Sequence, residues 1–139
     1  MECTLHRLVA DVALFAEGKV LLVKYRDVSN YDGQGGWFLP DDFLQPFEHP
    51  HDAAKRIVSD QAGVHVADLG LANIESFGNG WWHLVFHYRA DLPAIPDIAE
   101  GANVAEAAWF DLDHLPDSAE MAHHGWASET IDAMRRQPG

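Results

Sequence analysis

The chain has 139 residues, of which 47% are hydrophobic. This length and composition are typical of one globular domain with its own core, so we expect a single domain over residues 1–139. The 22 acidic and 9 basic residues give a formal net charge of −13. This charge argues against binding to a nucleic-acid polymer, because the phosphate backbone requires a basic surface.

Neither a disulfide nor a membrane segment is predicted. Cys3 is the single cysteine and has no partner within the chain. The N-terminal residues contain neither a basic segment followed by a cleavage site nor 18 uninterrupted apolar residues. We therefore expect a cytoplasmic protein that does not bind membranes.

The first part of the chain predicts a β-hairpin followed by an exposed loop. Residues 5–16 and 19–25 indicate two strands, with Gly18 at the turn between them. Residues 26–36 are rich in Asp, Ser, Asn and Gly, so we predict an exposed loop. A short apolar run, residues 37–40, closes this loop.

Residues 50–62 predict the first α-helix. Pro50 suits the first helical position, Asp52 suits the first turn, and Gly63 suits the C-terminal end. On a helical wheel, one arc of about 180° carries apolar residues and a single polar one. We predict that this arc is buried; its members are Ala53, Ala54, Ile57, Val58, Ala62 and the polar Gln61.

Two further strands are predicted at residues 69–77 and 81–90, around the turn signal Gly78-Asn79-Gly80. Bulky side chains occupy both faces of the second strand, which suits a sheet that is covered on both sides.

The C-terminal part of the chain predicts a loop, a strand and a helix. The loop is residues 92–103, which contain two prolines, and the strand is residues 105–112. Asp117 or Ser118 is predicted to cap a last helix that runs to about Arg136.

Nine histidines invite a test for metal binding. His83 and His87 share a strand face, but the four-residue spacing separates them by roughly 13 Å, too far for one ion. His123 and His124 are adjacent on the predicted last helix and therefore diverge. We interpret the histidines as surface groups or as hydrogen-bonded core groups.

The stretch LPDDFLQPFEHPHDAAKRIVSDQAGV resembles the signature of the Nudix hydrolase family, G-x5-E-x7-R-E-U-x-E-E-x-G-U, in which U is aliphatic. With Asp42 at the first position, the matching residues are Glu48, Arg56, Val58, Gly63 and Val64. The resemblance extends to the opening hairpin, the Leu39-Pro40 lead-in, and Glu106 with Trp109-Phe110. It implies an α/β/α sandwich of Nudix type with a mixed sheet.

Residues 42–64 nevertheless form a degenerate Nudix box. The three glutamates that the family signature places at positions 57, 60 and 61 are replaced by Ile57, Asp60 and Gln61. In the family these glutamates converge from one side of the helix onto divalent cations, which neutralise charge on the phosphoryl oxygens. One anion remains here in place of three, so we expect hydrolysis to be weak, altered or absent.

The resemblance assigns roles to several of the remaining charged residues. Asp60, Glu48 and Arg56 are the candidate catalytic residues, and the Glu48–Arg56 pair is expected to tie the phosphate loop to the helix. Asp60, Asp41 and Glu100 are the candidate ligands of Mg²⁺ or Mn²⁺ if the protein is active; without activity no cofactor is required.

Three residues are candidates for substrate binding. Arg26 and Trp37 flank the Gly-rich loop and could cradle or stack on a ring, although an exposed arginine and a core tryptophan are equally consistent with the sequence. Gln61 is polar within a buried arc, so it either contacts a ligand or hydrogen-bonds a loop carbonyl.

Three functional hypotheses follow. The first is a metal-dependent hydrolase of a nucleoside diphosphate linked to another group. The second is a non-catalytic protein that binds a nucleotide-like small ligand in the same cleft. The third is an interaction module, a homodimer through the Trp-rich strands, with a vestigial cleft.

Overall fold

The computed structural model describes residues 6–31, 33–78 and 82–136. These residues form six β-strands, two α-helices and two short 3-10 turns. The strands are β1 His6–Ala16, β2 Lys19–Tyr25, β3 Asp41–Phe43, β4 Gly70–Phe77, β5 Trp82–Leu92 and β6 Val104–Asp111; the helices are α1 Pro50–Ala62 and α2 Trp126–Arg135.

The six strands form one mixed sheet in the order β4-β5-β1-β2-β6, with β3 paired to β1. β1 runs parallel to β5 along its whole length, from the pair His6 and Trp82 to the pair Ala16 and Leu92. The remaining strand pairs are antiparallel. With one helix on each face, this arrangement confirms the predicted α/β/α sandwich.

The turn between β1 and β2 requires two residues with positive φ. Glu17 has φ of 51° and Gly18 has φ of 73°, which is the backbone of a two-residue hairpin turn whose twist matches the strands. Glycine meets this requirement without steric cost, so Gly18 lies at the turn as predicted.

Helix α1 covers one face of the sheet and has the bounds that the sequence predicts. Its N-cap is His49, whose Nδ1 accepts a hydrogen bond from the backbone N–H of His51 at 3.0 Å, and Gly63 ends the helix with φ of 68°. The buried residues of the helix are the six members of the predicted arc. The apolar members of this arc pack against the alternate β1 side chains Ala10, Val12 and Leu14.

Helix α2 covers only part of the opposite face. Its residues Ala127, Ile131 and Met134 pack against Ala13 and Phe15, which are the alternate side chains near the end of β1. On the same face, the first half of β1 carries Arg7, Val9 and Asp11. This half of the sheet lies beyond α2, and Arg7 and Val9 line an open cleft there.

The C-terminal helix is shorter than predicted. Residues 118–124 form two 3-10 turns, Ser118–Glu120 and Ala122–His124, and His123 has the non-helical φ of 51°. Gly125, with φ of 93°, then starts α2 at Trp126. The prediction of one helix from Asp117 or Ser118 was therefore wrong, because the local capping signals start a 3-10 turn that does not continue.

Two other predictions need comment. Residues 26–36 are not exposed throughout, since Tyr31 is buried and its ring stacks on Tyr25 at 3.7 Å between centroids. The predicted turn at Gly78-Asn79-Gly80 lies mostly outside the described residues, which end at Gly78 and resume at Trp82.

Among the residues that the structure describes, no helix is long and apolar enough to cross a membrane.

The loop that carries Glu100 is attached to the C-terminal end of α1. Ala99 donates a backbone hydrogen bond to the Ala62 carbonyl at 2.9 Å, and Gly101 donates one to the Gln61 carbonyl at 3.0 Å. A side chain at Gly101 would collide with the carbonyl oxygen of Asp60. The loop therefore approaches the helix as closely as two backbones allow.

We expect Gly101→Ala to lower the free energy of unfolding by about 1–3 kcal/mol, because the added methyl group forces the loop away from the helix. Gly70→Ala is the matched control, since a Cβ at Gly70 meets no atom within 4 Å, and it should change stability by less than about 0.5 kcal/mol. Urea denaturation of both variants measures the difference. Equal stability of the two variants would contradict the close contact.

Candidate functional site

The Glu48–Arg56 pair ties the segment after β3 to helix α1. Arg56 donates from Nε to Glu48 Oε2 at 2.9 Å and from Nη2 to Glu48 Oε1 at 3.1 Å. Nη2 also donates to the Phe43 carbonyl at 3.0 Å, and the backbone N–H of Gln45 donates to Glu48. The hydrogen bonds from Arg56 lower the pKa of Glu48. Both side chains are therefore committed to holding the loop.

Two further signature positions on α1, Ile57 and Asp60, differ in their surroundings. Ile57 is 1% exposed and packs with Ala10 and Ala53, so it belongs to the core. Asp60 points outward, with its side chain 67% exposed, and lies 4.0 Å from Arg56 Nη1. An exposed pair of this kind contributes little stability.

Gln61 lies in a buried hydrogen-bond network with Tyr25 and Asp41. Gln61 Nε2 donates to the Asp41 carbonyl at 2.8 Å. The Tyr25 hydroxyl lies 2.9 Å from Gln61 Oε1, 2.9 Å from Asp41 Oδ1 and 3.1 Å from the Asp41 carbonyl, and it accepts a hydrogen bond from the Asp41 backbone N–H. Burial, together with the charge of Asp41, raises the pKa of Tyr25 well above its usual value, so the hydroxyl keeps its proton. Gln61 thus hydrogen-bonds a backbone carbonyl, although Asp41 lies in β3 and not in the loop that the sequence predicted.

The three candidate metal ligands are not brought together. Asp41 lies in β3 rather than in a loop and contacts Tyr25, while Asp60 faces outward beside Arg56. Glu100 is exposed and accepts a hydrogen bond from the Ala107 backbone N–H at 3.2 Å. Within the described residues, no group of three or more His, Cys, Asp or Glu side chains could hold a metal ion.

Arg26 and Trp37 lie apart from the sheet cleft. Arg26 is exposed, and its backbone N–H donates to the Asn103 carbonyl at 2.8 Å. Trp37 is 6% exposed and packs edge-on against Phe110, with Lys24 Nζ 4.7 Å from its ring centroid. The Trp37 side chain therefore belongs to the core under α2.

A cleft of about 450 Å³ lies on the half of the sheet that α2 leaves uncovered. Val9 and Val85, which are neighbours in the β1–β5 pairing, line the cleft where the two central strands meet. Seven ring side chains line the cleft: Tyr31, Phe38, Phe43, Phe77, His83, His123 and Trp126. The volume and the apolar walls with a few polar groups are typical of small-molecule sites.

Polar side chains enter the cleft from several elements. Arg7 comes from β1 and its guanidinium lies 5.8 Å from the Phe43 ring centroid. The other polar lining residues are Asn30, Asp41, Asp42, Glu75, His123 and Glu129. The His83 ring is stacked on Phe77, with centroids 5.2 Å apart and an angle of 3° between the planes. These contacts leave an aromatic cleft that is lined by both signs of charge.

A buried triad lies at the edge of the cleft, beneath α2. His87 Nδ1 is 2.7 Å and 2.8 Å from the two carboxylate oxygens of Asp11, and His87 Nε2 is 2.6 Å from Glu75 Oε1. Asp11 and His87 are 3% and 1% exposed, whereas the Glu75 side chain is 36% exposed and lines the cleft. The triad thus connects a fully buried carboxylate to one that a ligand can reach.

The geometry of the triad requires a proton on each imidazole nitrogen, or on a carboxylate, because carboxylates only accept and a neutral imidazole donates once. Burial alone would lower the pKa of His87, but its hydrogen bonds and charge interactions with Asp11 and Glu75 outweigh burial and raise the pKa. Burial raises the pKa of Asp11, and His87 acts in the opposite direction. Imidazolium between two carboxylates satisfies all three groups, and so does a neutral imidazole with one of the two carboxylates protonated.

The triad and the aromatic walls were missed in the sequence. The interpretation of His87 as a hydrogen-bonded core group fits its environment. The neighbouring sequence does not predict its partners, because Glu75 and Asp11 are 12 and 76 positions away. One signal was present: Asp11 is an isolated carboxylate in the apolar run VADVALF. A buried carboxylate in a central strand requires a partner.

Comparisons with known proteins bear on the family and the fold of this chain. The family model for the NUDIX domain matches residues 5–134. Among curated proteins, human 8-oxo-dGDP phosphatase NUDT18 is 29% identical over 109 residues, which cover 78% of this chain and 33% of that protein. The chain thus spans about a third of the length of this relative.

Two solved structures illustrate the likeness in fold. A MutT NUDIX hydrolase from Burkholderia pseudomallei superposes with a TM-score of 0.72 at 21% identity, covering 96% of this chain and 98% of that one. The NUDIX domain of Shewanella oneidensis NrtR, in complex with ADP-ribose, gives 0.76 at 21% identity, covering 97% and 88%. Since the family model covers nearly the whole sequence, this chain belongs to the NUDIX family.

Proposed function

We propose that the cleft of this NUDIX domain binds the aromatic ring of a nucleotide-derived small ligand. We also propose that metal-dependent hydrolysis by this domain is weak or absent. The observation that carries the proposal is the network in which Gln61 and Tyr25 hydrogen-bond the Asp41 carbonyl. This oxygen is held by neutral donors at the side of α1 where the family signature places carboxylates.

The groups around this carbonyl do not fit a divalent cation of the kind that NUDIX hydrolases generally use. Mg²⁺ and Mn²⁺ require several oxygen ligands, mainly carboxylates. Ile57 supplies none, and Gln61 turns its amide nitrogen toward the Asp41 carbonyl. A cation at that oxygen would have to displace both the amide and the Tyr25 hydroxyl and would find no carboxylate from α1 except the outward-facing Asp60.

The cleft, in contrast, has what a ring-shaped ligand requires. Aromatic side chains stack on heterocycles regardless of the exact ring, and Phe77 and Trp126 line the cleft from β4 and α2. Two comparisons support a nucleotide-derived ligand: the NrtR domain is seen with ADP-ribose, and NUDT18 is named for its action on 8-oxo-dGDP.

Other expectations from the sequence stay predictions: a single domain over residues 1–139, a cytoplasmic location, and no binding to nucleic-acid polymers or membranes. So does a homodimer through the Trp-rich strands. Exposed apolar side chains on β4 and β5 support the homodimer, since Leu71, Ile74 and Trp82 are 51%, 47% and 45% exposed.

With ADP-ribose or 8-oxo-dGDP and Mg²⁺ or Mn²⁺, we expect the wild-type protein to turn over far more slowly than about 1 s⁻¹, the low end of ordinary enzymes. The double variant Ile57→Glu, Gln61→Glu is expected to gain hydrolysis, because it returns two carboxylates to α1. The control is Ile57→Gln with Gln61 unchanged. This variant adds no carboxylate to α1 and should gain no hydrolysis. Product release is measured by chromatography.

Melting temperatures accompany this assay, because a carboxylate at the buried position 57 destabilises the core. Wild-type turnover at ordinary enzyme rates would overturn the proposal of weak hydrolysis. A folded double variant without activity would show that the two substitutions are not sufficient to explain the loss.

We expect ADP-ribose or 8-oxo-dGDP to raise the melting temperature of the wild-type protein in EDTA, because the cleft does not use a metal. Phe77→Ala should weaken the binding of that ligand by about tenfold through the loss of a stacking surface. Phe47→Ala is the control: Phe47 is fully exposed outside the cleft. Binding that disappears in EDTA, or that both variants weaken equally, would count against this function.

Tyr25→Phe tests whether the network around Asp41 has a structural role. We expect a loss of about 1–2 kcal/mol in the free energy of unfolding, because Gln61 and Asp41 lose a buried hydrogen-bond partner. Tyr88→Phe is the control, since the Tyr88 hydroxyl makes no hydrogen bond to other described residues. Equal stability of the two variants in urea would exclude a structural role for the Tyr25 hydroxyl.

A further inference from the structure

We propose that Glu75 is the hydrogen-bond acceptor that selects the ring of the ligand, and that Asp11 and His87 are positioning residues that hold it at the cleft. The ligand class that this acceptor fits is a heteroaromatic ring with two adjacent N–H donors, such as the amide and amino groups on one edge of guanine. The inference rests on the proposed binding function and names the chemistry of its ligand.

The first step concerns the position of Glu75. It lies on β4 between Phe77, which lines the cleft, and Asn73, which pairs with His87. Its Oε1 contacts His87 Nε2 at 2.6 Å, whereas its Oε2 makes no hydrogen bond within the described parts of the chain. The half-buried carboxylate therefore keeps acceptor capacity on the side that faces the cleft.

The second step concerns what holds Glu75 there. β4 is an edge strand, and a lone glutamate on an edge would sample several rotamers in solvent. The His87 ring prevents this because it is fixed by both oxygens of Asp11, by its burial, and by the edge-on contact with Trp126 at 5.6 Å between centroids. The acceptor is thus fixed before a ligand arrives, which reduces the entropy cost of binding.

The third step concerns the chemistry of the ring. A carboxylate only accepts hydrogen bonds, and each of its oxygens has two lone pairs. Oε1 can therefore accept from one ligand N–H beside the hydrogen bond with His87, and Oε2 can accept from a second, parallel N–H. The stacked rings of Phe77 and His83 lie next to Glu75 along the sheet and present flat surfaces for a planar ring. A ring that presents one donor in place of two leaves an acceptor partly desolvated and unpaired, which weakens binding.

The test compares guanosine monophosphate with inosine monophosphate, which differ only in the exocyclic amino group, by isothermal titration in EDTA. The phosphate is common to both probes, so it cancels from the affinity ratio. We expect the wild-type protein to bind the guanine form at least about tenfold more tightly. Glu75→Gln should bring the ratio close to one, since the glutamine amide has a single acceptor oxygen and adds a donor.

Two further variants separate positioning from general charge. Asp11→Asn keeps the shape and one acceptor for His87 but removes the buried negative charge, and it should reduce the guanine preference. Glu17→Gln removes an exposed carboxylate in the β1–β2 turn, outside the cleft, and should leave the guanine preference unchanged. Melting temperatures confirm that each variant is folded.

Failure of ring selection by Glu75 can be distinguished from failure of the proposed binding function. If neither nucleotide binds and neither ADP-ribose nor 8-oxo-dGDP raises the melting temperature, the proposed binding function fails and this inference fails with it. If wild type binds both nucleotides equally, or if Glu17→Gln lowers the ratio as much as Glu75→Gln, ring selection by Glu75 is overturned while binding stands. If Asp11→Asn is folded and keeps the wild-type ratio, the positioning role of Asp11 is overturned.

Discussion

The parallel pairing of β1 with β5 is the constraint on which the rest of the domain depends. It joins eleven consecutive residue pairs at the centre of the sheet, and its register decides which side chains face each helix. One face of β1 presents Ala10, Val12 and Leu14 to α1. The other presents Ala13 and Phe15 to α2 and leaves Val9 at the cleft. The same register sets Asp11 beside His87, so a one-residue shift would separate the triad.

Helix α1 keeps the shape that the family signature predicts with other residues at three of its positions. Glu48, Arg56 and Gly63 shape the helix and the loop before it through hydrogen bonds between protein groups. Ile57 extends the apolar contact with the sheet, and Gln61 makes an inward hydrogen bond to the Asp41 carbonyl. The helix therefore keeps its place in the fold with Ile57 and Gln61 both buried.

The sequence predicted those parts of the molecule that local signals determine. The bounds of α1 follow from Pro50 and Gly63, and its buried arc follows from helical periodicity, so both agree with the structure. The C-terminal helix was predicted too long because the chain near His123 is held by residues far away in the sequence. The His123 backbone N–H donates to the Gln34 side chain, and the Ala122 backbone N–H donates to the Trp37 carbonyl. The family signature located the loop and the helix.

The cleft could not be predicted, because its residues come from six separate segments that only the folded sheet brings together. Helical periodicity did show that Gln61 is buried, but the choice between a ligand and a carbonyl needed the position of Asp41, twenty residues away. The role of Glu75 had no local signal at all, since an exposed glutamate on a predicted strand is ordinary.

The place of β4 at the edge of the sheet has a consequence for motion. Within the described residues β4 pairs with one strand, β5, and the pairing shifts register between Leu71 and Asn73. The outer wall of the cleft, Glu75 and Phe77, therefore lies on an edge strand, where amides open to solvent more readily than in the floor at Val9 and Val85, which lies on the central strands. Entry and exit of a ligand can then be governed by fluctuations of one strand, while the surface that the ligand rests on stays rigid.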